Sequence, residues 1–310
     1  MVKSIFHPVS SLWKKSTLME KFLYISIIII LFHRLLTFTK KDIETFEEPT
    51  ESFKNKKDID IYDDFYVSIY DDLLFSTFKN DFEIGLIENK TKPSEKSLIL
   101  DIGSGTGHHV GELTKRGYKC QGLDVSSSMV KAAKQKYPDC TFTQGNVLKS
   151  ITFHPEEFTH ITCLYFTIYT IRNKRPFFQN CMQWLKPGGY LILHLVDRDK
   201  FDPILPVADV MTSINPQKYA KKRLTNTQAV FKNHLYKANF DIKNDKAEFT
   251  ETFTNKKNGS VRKHTHNLYM ETQKQILSLA QGAGFIMISQ NEMKKVGYYN
   301  QYIYVLQKPK

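Results

Sequence analysis

The sequence predicts an α/β protein, a doubly wound and mostly parallel sheet flanked by helices, with an antiparallel insert towards the C-terminus. Three observations carry this reading. From Ser97 to Asp197 short apolar strands alternate with helices, a pattern that implies right-handed βαβ crossovers. Beyond Asp197 the pattern changes to polar and apolar residues alternating along strands, separated by turn residues. The composition, 310 residues with 41% hydrophobic and 25% charged, suits one sizeable core and excludes a disordered or collagen-like chain.

Residues 1–39 place Lys3, Lys14, Lys15 and Lys21 ahead of the apolar segment 22–38. Its uninterrupted run, Phe22 to Phe32, has 11 residues, or about 16 Å of helix, roughly half a hydrocarbon core. His33 and Arg34 interrupt it. Extension to Phe38 gives 17 residues, enough to span when Arg34 snorkels towards headgroups. The expectation is a hydrophobic helix that makes the membrane a partner and anchors the chain through residues 22–38. A buried or interfacial helix in a soluble cytoplasmic protein and a cleaved signal peptide are the alternatives, the last weakened because no small-residue cleavage site follows. Residues 40–63 are densely charged and read as a solvated linker, so the folded domain is expected over 64–310.

Within that domain, Phe65, Ile69, Leu73 and Phe78 stand at helical spacing, and a second helix is expected over 81–89. SLILDIG is a buried strand, HHVGELTKRG a helix closed by Gly117, and YKCQGLDVS a second strand. SSMVKAAKQKYP is a helix with Ser126 or Ser127 as N-cap, and CTFTQGNV a third strand. THITCLYFTIYTI reads as a fourth strand, RPFFQNCMQWLKPGG as a helix stopped by its Pro-Gly-Gly turn, and YLILHLVD as a fifth. QAVFKNHLYKANFDIKN, KAEFTETFTNK and SVRKHTHNLYMET read as three antiparallel strands, the last two joined by a turn at 255–259. TQKQILSLAQGAG is a helix, and FIMISQNEMKKV and YYNQYIYVLQK form a closing strand pair joined around Gly297.

The formal net charge is +12, and only 7 of the 44 basic residues are arginine, with the excess concentrated in the C-terminal third. Such a surplus can attract anions through long-range, salt-screened fields, while a solvated lysine-rich surface needs no partner. Nucleic acid is therefore a less favoured partner than a small molecule. Cys120, Cys140, Cys163 and Cys181 show no CxxC pairing and no metal-ligand spacing with histidine, so no metal site is expected and reduced cysteines in a reducing compartment are. KHTH, Lys263 to His266, puts His264 and His266 on one face of a strand, expected to be solvent or lid surface.

The strongest signal is LILDIGSGTGHHV, where Asp101, Gly103, Ser104, Gly105 and Gly107 mark the turn from strand to helix. Glycines there let backbone approach a ligand, and the helix start presents unpaired N–H groups. With His108 where the dinucleotide fingerprint needs glycine, GxGxG replaces GxGxxG. The next strand ends at Asp124, 17 residues past Gly107, where a carboxylate can accept hydrogen bonds from a ribose diol. Asn146 and the Val147 N–H are placed to read an adenine edge, with Met129, four residues after Val125, packing on the adenine face. Together these describe a nucleoside pocket.

The ordered set DIGSGTG, GLDVS, QGNV and LKPGGYLIL resembles the class I S-adenosylmethionine-dependent methyltransferases over about residues 64–310. The resemblance implies a Rossmann-like, seven-stranded, mostly parallel sheet whose seventh, antiparallel strand lies between the fifth and sixth. It also implies S-adenosyl-L-methionine as cofactor, with Asp101 near the methionine amino group, Gly103, Gly105 and Gly107 beneath the carboxypropyl arm, and Asp124 on the ribose. Ser104, Val125, Met129, Asn146, Val147 and Leu164 complete the candidate cofactor-binding positions there. Asn146 stands where the family often has Asp, and Thr159 and His160 open a fourth strand that commonly opens with an acid. CLYFTIY replaces the N/D-PPY signature of base methylation, which weakens a DNA-methylase reading.

A looser similarity, to small-molecule and nucleotide-sugar N-methyltransferases, implies that Tyr66 and Tyr70 lie over the cofactor and that residues 198–275 form a lid on the acceptor. The expected function is methyl transfer to a small or nucleotide-linked acceptor. RNA or protein methylation and a non-catalytic, cofactor-binding membrane scaffold are the alternatives. Because the sulfonium supplies the electrophile, no catalytic triad is required. His194, at the end of the fifth strand, is the candidate proton acceptor, with Tyr165, His108 and His109 as further polar candidates.

Overall fold

The computed structural model describes residues 17, 19–21, 24–27, 53–203 and 223–310. Most of segment 22–38, the linker up to residue 52 and residues 204–222 of the expected lid lie outside them. Among the described residues no helix is long and apolar enough to cross a membrane, so the expected anchor finds no support there. The described residues from 53 to 310 form one compact unit.

The chain enters that unit earlier than expected. Phe53–Lys57 is a strand, β1, and Asp58–Ile61 a single 3₁₀ turn. Both fall in residues read as linker. Lysines suit the exposed side of an edge strand, and Ile61 is buried. Two helices follow, α1 (Asp64–Leu74) capped by the Asp63 carboxylate and α2 (Thr77–Thr91) capped by the Ser76 hydroxyl.

The alternating region then lays down β2 (Leu98–Ile102), α3 (His108–Lys115), β3 (Lys119–Asp124), α4 (Ser127–Lys136), β4 (Thr141–Gln144) and β5 (Phe158–Cys163). Ser126 caps α4 by accepting from the Met129 N–H. Past β5 the expected strand does not continue: Tyr165 adopts φ +51 and Thr167–Thr170 make one helical turn, α5. Helix α6 (Lys174–Trp184) leads directly into β6 (Leu185–Val196), which absorbs the Pro-Gly-Gly residues expected in a turn.

The first sheet has the order β11-β12-β6-β5-β2-β3-β4, with β2 to β6 mutually parallel. Strand β12 (Gln301–Gln307) runs antiparallel between β6 and β11 (Ile286–Glu292), as the resemblance implied. Period-two alternation divides the core. Leu100, Ile161, Leu191, Leu193 and Leu195 pack with Phe177, Phe178 and Trp184 of α6, and with Ile276 and Ala280 of α7 (Gln273–Gly282). On the opposite face Ile192, Ile303 and Val305 meet Leu86 and Ile87 of α2.

The second sheet has the order β1-β10-β9-β8-β7. The segment read as one long strand is two, β7 (Asn226–Val230) and β8 (His234–Lys243), because Phe231 N–H closes a tight turn onto the His234 carbonyl. Strands β8, β9 (Lys246–Asn255) and β10 (Val261–Tyr269) are antiparallel, and β1 pairs parallel with β10. All four cysteines are free, with Cys163 and Cys181 buried. No group of metal-ligating side chains occurs among the described residues.

Candidate active site

A cavity of about 680 Å³ lies where the carboxyl ends of β2, β3 and β5 meet α1, α2 and the inner face of the second sheet. That is the position in which an open parallel sheet binds ligands. The turn after β2 forms its floor. Gly103 and Gly107 take φ +71 and +86. A Cβ at Gly103 would meet the Thr167 side chain at 2.5 Å; Gly107, expected at the ligand, is instead absent from the cavity wall, and its Cβ would meet the core ring of Phe142 at 2.6 Å. Backbone alone fits.

Asp124, at the tip of β3, accepts from the Gly105 N–H and the Ser126 N–H, each at 2.9 Å. Burial outweighs these bonds and raises its carboxyl above the ordinary range. Asp101, 3% exposed at the end of β2, accepts from the Thr162 hydroxyl at 2.6 Å and is likewise raised by burial. Ser104, Val125, Met129, Asn146, Val147, Leu164, Tyr66, Tyr70 and Tyr165 all line the cavity. The Asn146 side-chain Oδ1 already accepts from the Leu148 N–H at 2.9 Å, and the Val147 backbone carbonyl accepts from the Asn180 side-chain amide. Thr159, the departure at the start of β5, bonds both the N–H and the carbonyl of Leu98, each at 3.0 Å, a strand-joining role.

The cavity fits the cofactor on its own evidence. The Ser104 hydroxyl, the Asn80 Oδ1 and the Gln301 Oε1 are buried without a hydrogen-bond partner, and all three residues line the same space. Buried polar atoms seldom go unpaired. Together with a bare-backbone floor and the acids of β2 and β3, they suit a polar, cationic nucleoside ligand.

His194 departs from expectation. Its place two residues before the end of β6 suggested the crevice, but strand alternation turns it with Ile192 onto the face beneath α2. It is 0% exposed, is absent from the cavity wall, and neither ring nitrogen has a hydrogen-bond partner. Burial, helped by the Lys79 charge, lowers its pKa to about 3, so it stays neutral. Candidates His108 and His109 do face the cavity. His108 stacks on Phe75 at 3.6 Å and its Nε2 lies 3.1 Å from Asp71, while His109 Nε2 lies 2.9 Å from Glu83.

Two clusters escaped the sequence reading. Beneath α2, Lys79 pairs with Glu83 at 2.7 Å and sits over the Tyr165 ring at 5.2 Å. Burial opposes the charged form of Glu83, but Lys79 and His109 prevail and hold its carboxyl down to about 2. An i,i+4 Lys/Glu pair on α2 was the available signal, but such pairs usually face water.

The second cluster is in the sheet that covers the cavity. His264 and His266, expected at the surface, are 0% and 7% exposed. The reason is that the inner face of this sheet, with Tyr236, Phe240, Phe253 and Leu268, is buried and encloses a polar cluster among its apolar side chains. Glu251 of β9, 0% exposed, accepts from the Tyr236 hydroxyl at 2.7 Å, and its Oε2 lies 2.7 Å from His266 Nε2 and 3.5 Å from His264 Nδ1. Burial works against its charge, and the two imidazoles outweigh it, lowering the carboxyl to about 2. Arg262 donates to His264 Nε2 at 2.7 Å and pairs with the α1 cap Asp63.

Residues 99–189 match the family model described as a methyltransferase domain. The phosphoethanolamine N-methyltransferase of Plasmodium falciparum is 25% identical over 190 residues, 53% of this chain and 69% of that protein. The dTDP-3-amino-3,4,6-trideoxy-alpha-D-glucopyranose N,N-dimethyltransferase of Streptomyces venezuelae is 33% identical over 88 residues, 28% of this chain and 35% of that protein. In fold, the chain resembles a SAM-bound amino pentose methyltransferase from Micromonospora echinaspora, with TM-score 0.55, 16% identity, and coverage of 79% of this chain and 96% of that one.

Proposed function

This chain is a class I S-adenosylmethionine-dependent methyltransferase, and from that premise we propose that it methylates the amine of a small molecule. The sulfonium supplies the electrophile and a neutral leaving group, so the protein's task is to place a nucleophile in line and to manage its proton.

The observation that carries the reading is the character of the cavity wall. The chain bears +12 overall, yet among the described residues Asp58, Asp71, Glu83, Asp101, Asp124 and Asp202 line this space against Lys79 and Arg172. Lys79 is neutralised by Glu83, and Arg172 is exposed. Tyr165, Phe166, Phe240, Phe249 and Tyr269 supply ring faces and edges to the same volume. Carboxylates and aromatic faces attract an ammonium and repel an anion at the reacting end. An exposed Arg172 suits a phosphate or nucleotide tail on the acceptor. The similar proteins that act on phosphoethanolamine and on an amino-sugar nucleotide support the same reading.

The test is S-adenosylhomocysteine formation by the purified protein with phosphoethanolamine, a dTDP-amino sugar, a catechol and RNA offered separately. Turnover with an amine and none with the catechol is expected. Turnover confined to the catechol or to RNA would refute the amine assignment.

A further inference from the structure

We propose that His266, held by Glu251, is the base that takes the proton from the acceptor, an assignment that rests on the amine reading above. Hydrogen-bond chemistry sets the two imidazole tautomers. Guanidinium can only donate, so Arg262 leaves His264 Nε2 as a lone pair and puts its proton on Nδ1, which faces Glu251 at 3.5 Å. The ionised Glu251 can only accept, so His266 Nε2 carries the proton of the 2.7 Å contact and Nδ1 keeps its lone pair. No hydrogen bond engages that Nδ1 among the described residues, and the ring belongs to the cavity wall.

The surroundings fit a ring that gains charge during turnover. Packed against His266 are Phe249 of β9, Tyr62 next to the 3₁₀ turn and Tyr66 of α1, with Glu251 as the facing acid. Tyr236 holds the other carboxylate oxygen, and Arg262 with Asp63 ties His264. An imidazolium formed beside a buried carboxylate is stabilised without rearrangement. The cavity's other histidine–carboxylate pairs, His108 with Asp71 and His109 with Glu83, have their histidines at the start of α3 directly after the glycine turn and so belong to the cofactor side. His194 is sealed beneath α2.

The step balances as follows. The acceptor ammonium passes one proton to His266 Nδ1, and its freed lone pair forms the N–C bond to the methyl carbon. The C–S bond breaks with its electron pair left on sulfur. The product leaves as a methylammonium, and His266 returns its proton to water at the mouth. Glu251 is a positioning residue that acts through His266.

Two measurements decide it. In the full-length protein with histidine labelled by ¹⁵N and saturated with S-adenosylhomocysteine, His266, assigned by comparison with His266→Gln, should carry its proton on Nε2. That resonance should move in Glu251→Gln. A neutral Nδ1–H tautomer, or a resonance that Glu251→Gln leaves unmoved, overturns the proposal. In the turnover assay, His266→Gln should lower kcat about 100-fold on the amine that the wild type methylates, with unchanged affinity for S-adenosylhomocysteine. Undiminished kcat overturns the base and leaves the amine reading intact. If no amine is methylated while S-adenosylhomocysteine still binds, the amine reading falls, and the tautomer measurement alone decides the base.

Discussion

Asp124→Asn changes one atom in the cavity floor and should disable it. Each carboxylate oxygen now accepts a backbone N–H, one from the glycine turn and one from the start of α4, both at 2.9 Å. An amide has a single acceptor oxygen, so its NH₂ must face either the Gly105 or the Ser126 donor. One charge-assisted bond is lost, about 1.5–3 kcal/mol, and a buried donor is left unpaired at about 1–3 kcal/mol. Because the turn must hold its shape to receive ligand, most of this loss falls on binding. Even the low end of the sum, about 2.5 kcal/mol, is about a 70-fold weaker Kd. Isothermal calorimetry with S-adenosylhomocysteine on the folded variant measures it directly. A Kd within about threefold of wild type, roughly 0.6 kcal/mol, would refute the argument that Asp124 organises this floor.

Two further outcomes follow from buried groups. His194 stays neutral in the fold down to about pH 3, whereas the unfolded ring charges below about pH 6.5. The unfolded state therefore binds more protons as pH falls, and stability present above pH 6.5 is lost on acidification. Between pH 7 and pH 5 this amounts to about 2 kcal/mol, and urea titrations of His194→Leu should show a pH dependence smaller by about that amount. Lys174, 0% exposed in its side chain, bonds the Ile171 and Tyr269 carbonyls at 3.0 Å and Glu271 at 2.6 Å. Lys174→Met should cost about 3–5 kcal/mol and lower Tm by about 10 °C in a thermal melt, and an unchanged Tm would contradict the role of that ammonium as a tie between α6 and the end of β10.

The glycine turn was legible because its constraints are local. A backbone that must reach φ +71 and +86 without side chains calls for glycine at 103 and 107, and the acid at the tip of β3, Asp124, receives the Gly105 N–H of that turn. The sheet over the cavity was not legible for the complementary reason. His264 and His266 read as surface because polar residues on alternate strand positions normally face water, and only the tertiary placement of Glu251 reveals a buried polar cluster within an otherwise apolar face. Position along β6 put His194 near the crevice, but the side on which a strand residue projects depends on register with β12, where it opposes Ile303. Lys54, Lys56 and Lys57 disguised β1, since a parallel edge strand gains its stability from backbone pairing with Val261 to Thr265 rather than from an apolar stripe.

That edge pairing also bears on how the molecule assembles. Phe53 meets Val261 across nearly the whole of the described unit, and closing a loop of about 200 residues comes late because its entropy must be met before the contact repays it. The parallel sheet, built from neighbouring βαβ units, can order first. Until β1 docks, the flank of β10 that carries Arg262, His264 and His266 is an open strand margin. A nascent chain in that interval has the glycine turn of the parallel sheet in place while the sheet that covers the cavity is still unfinished.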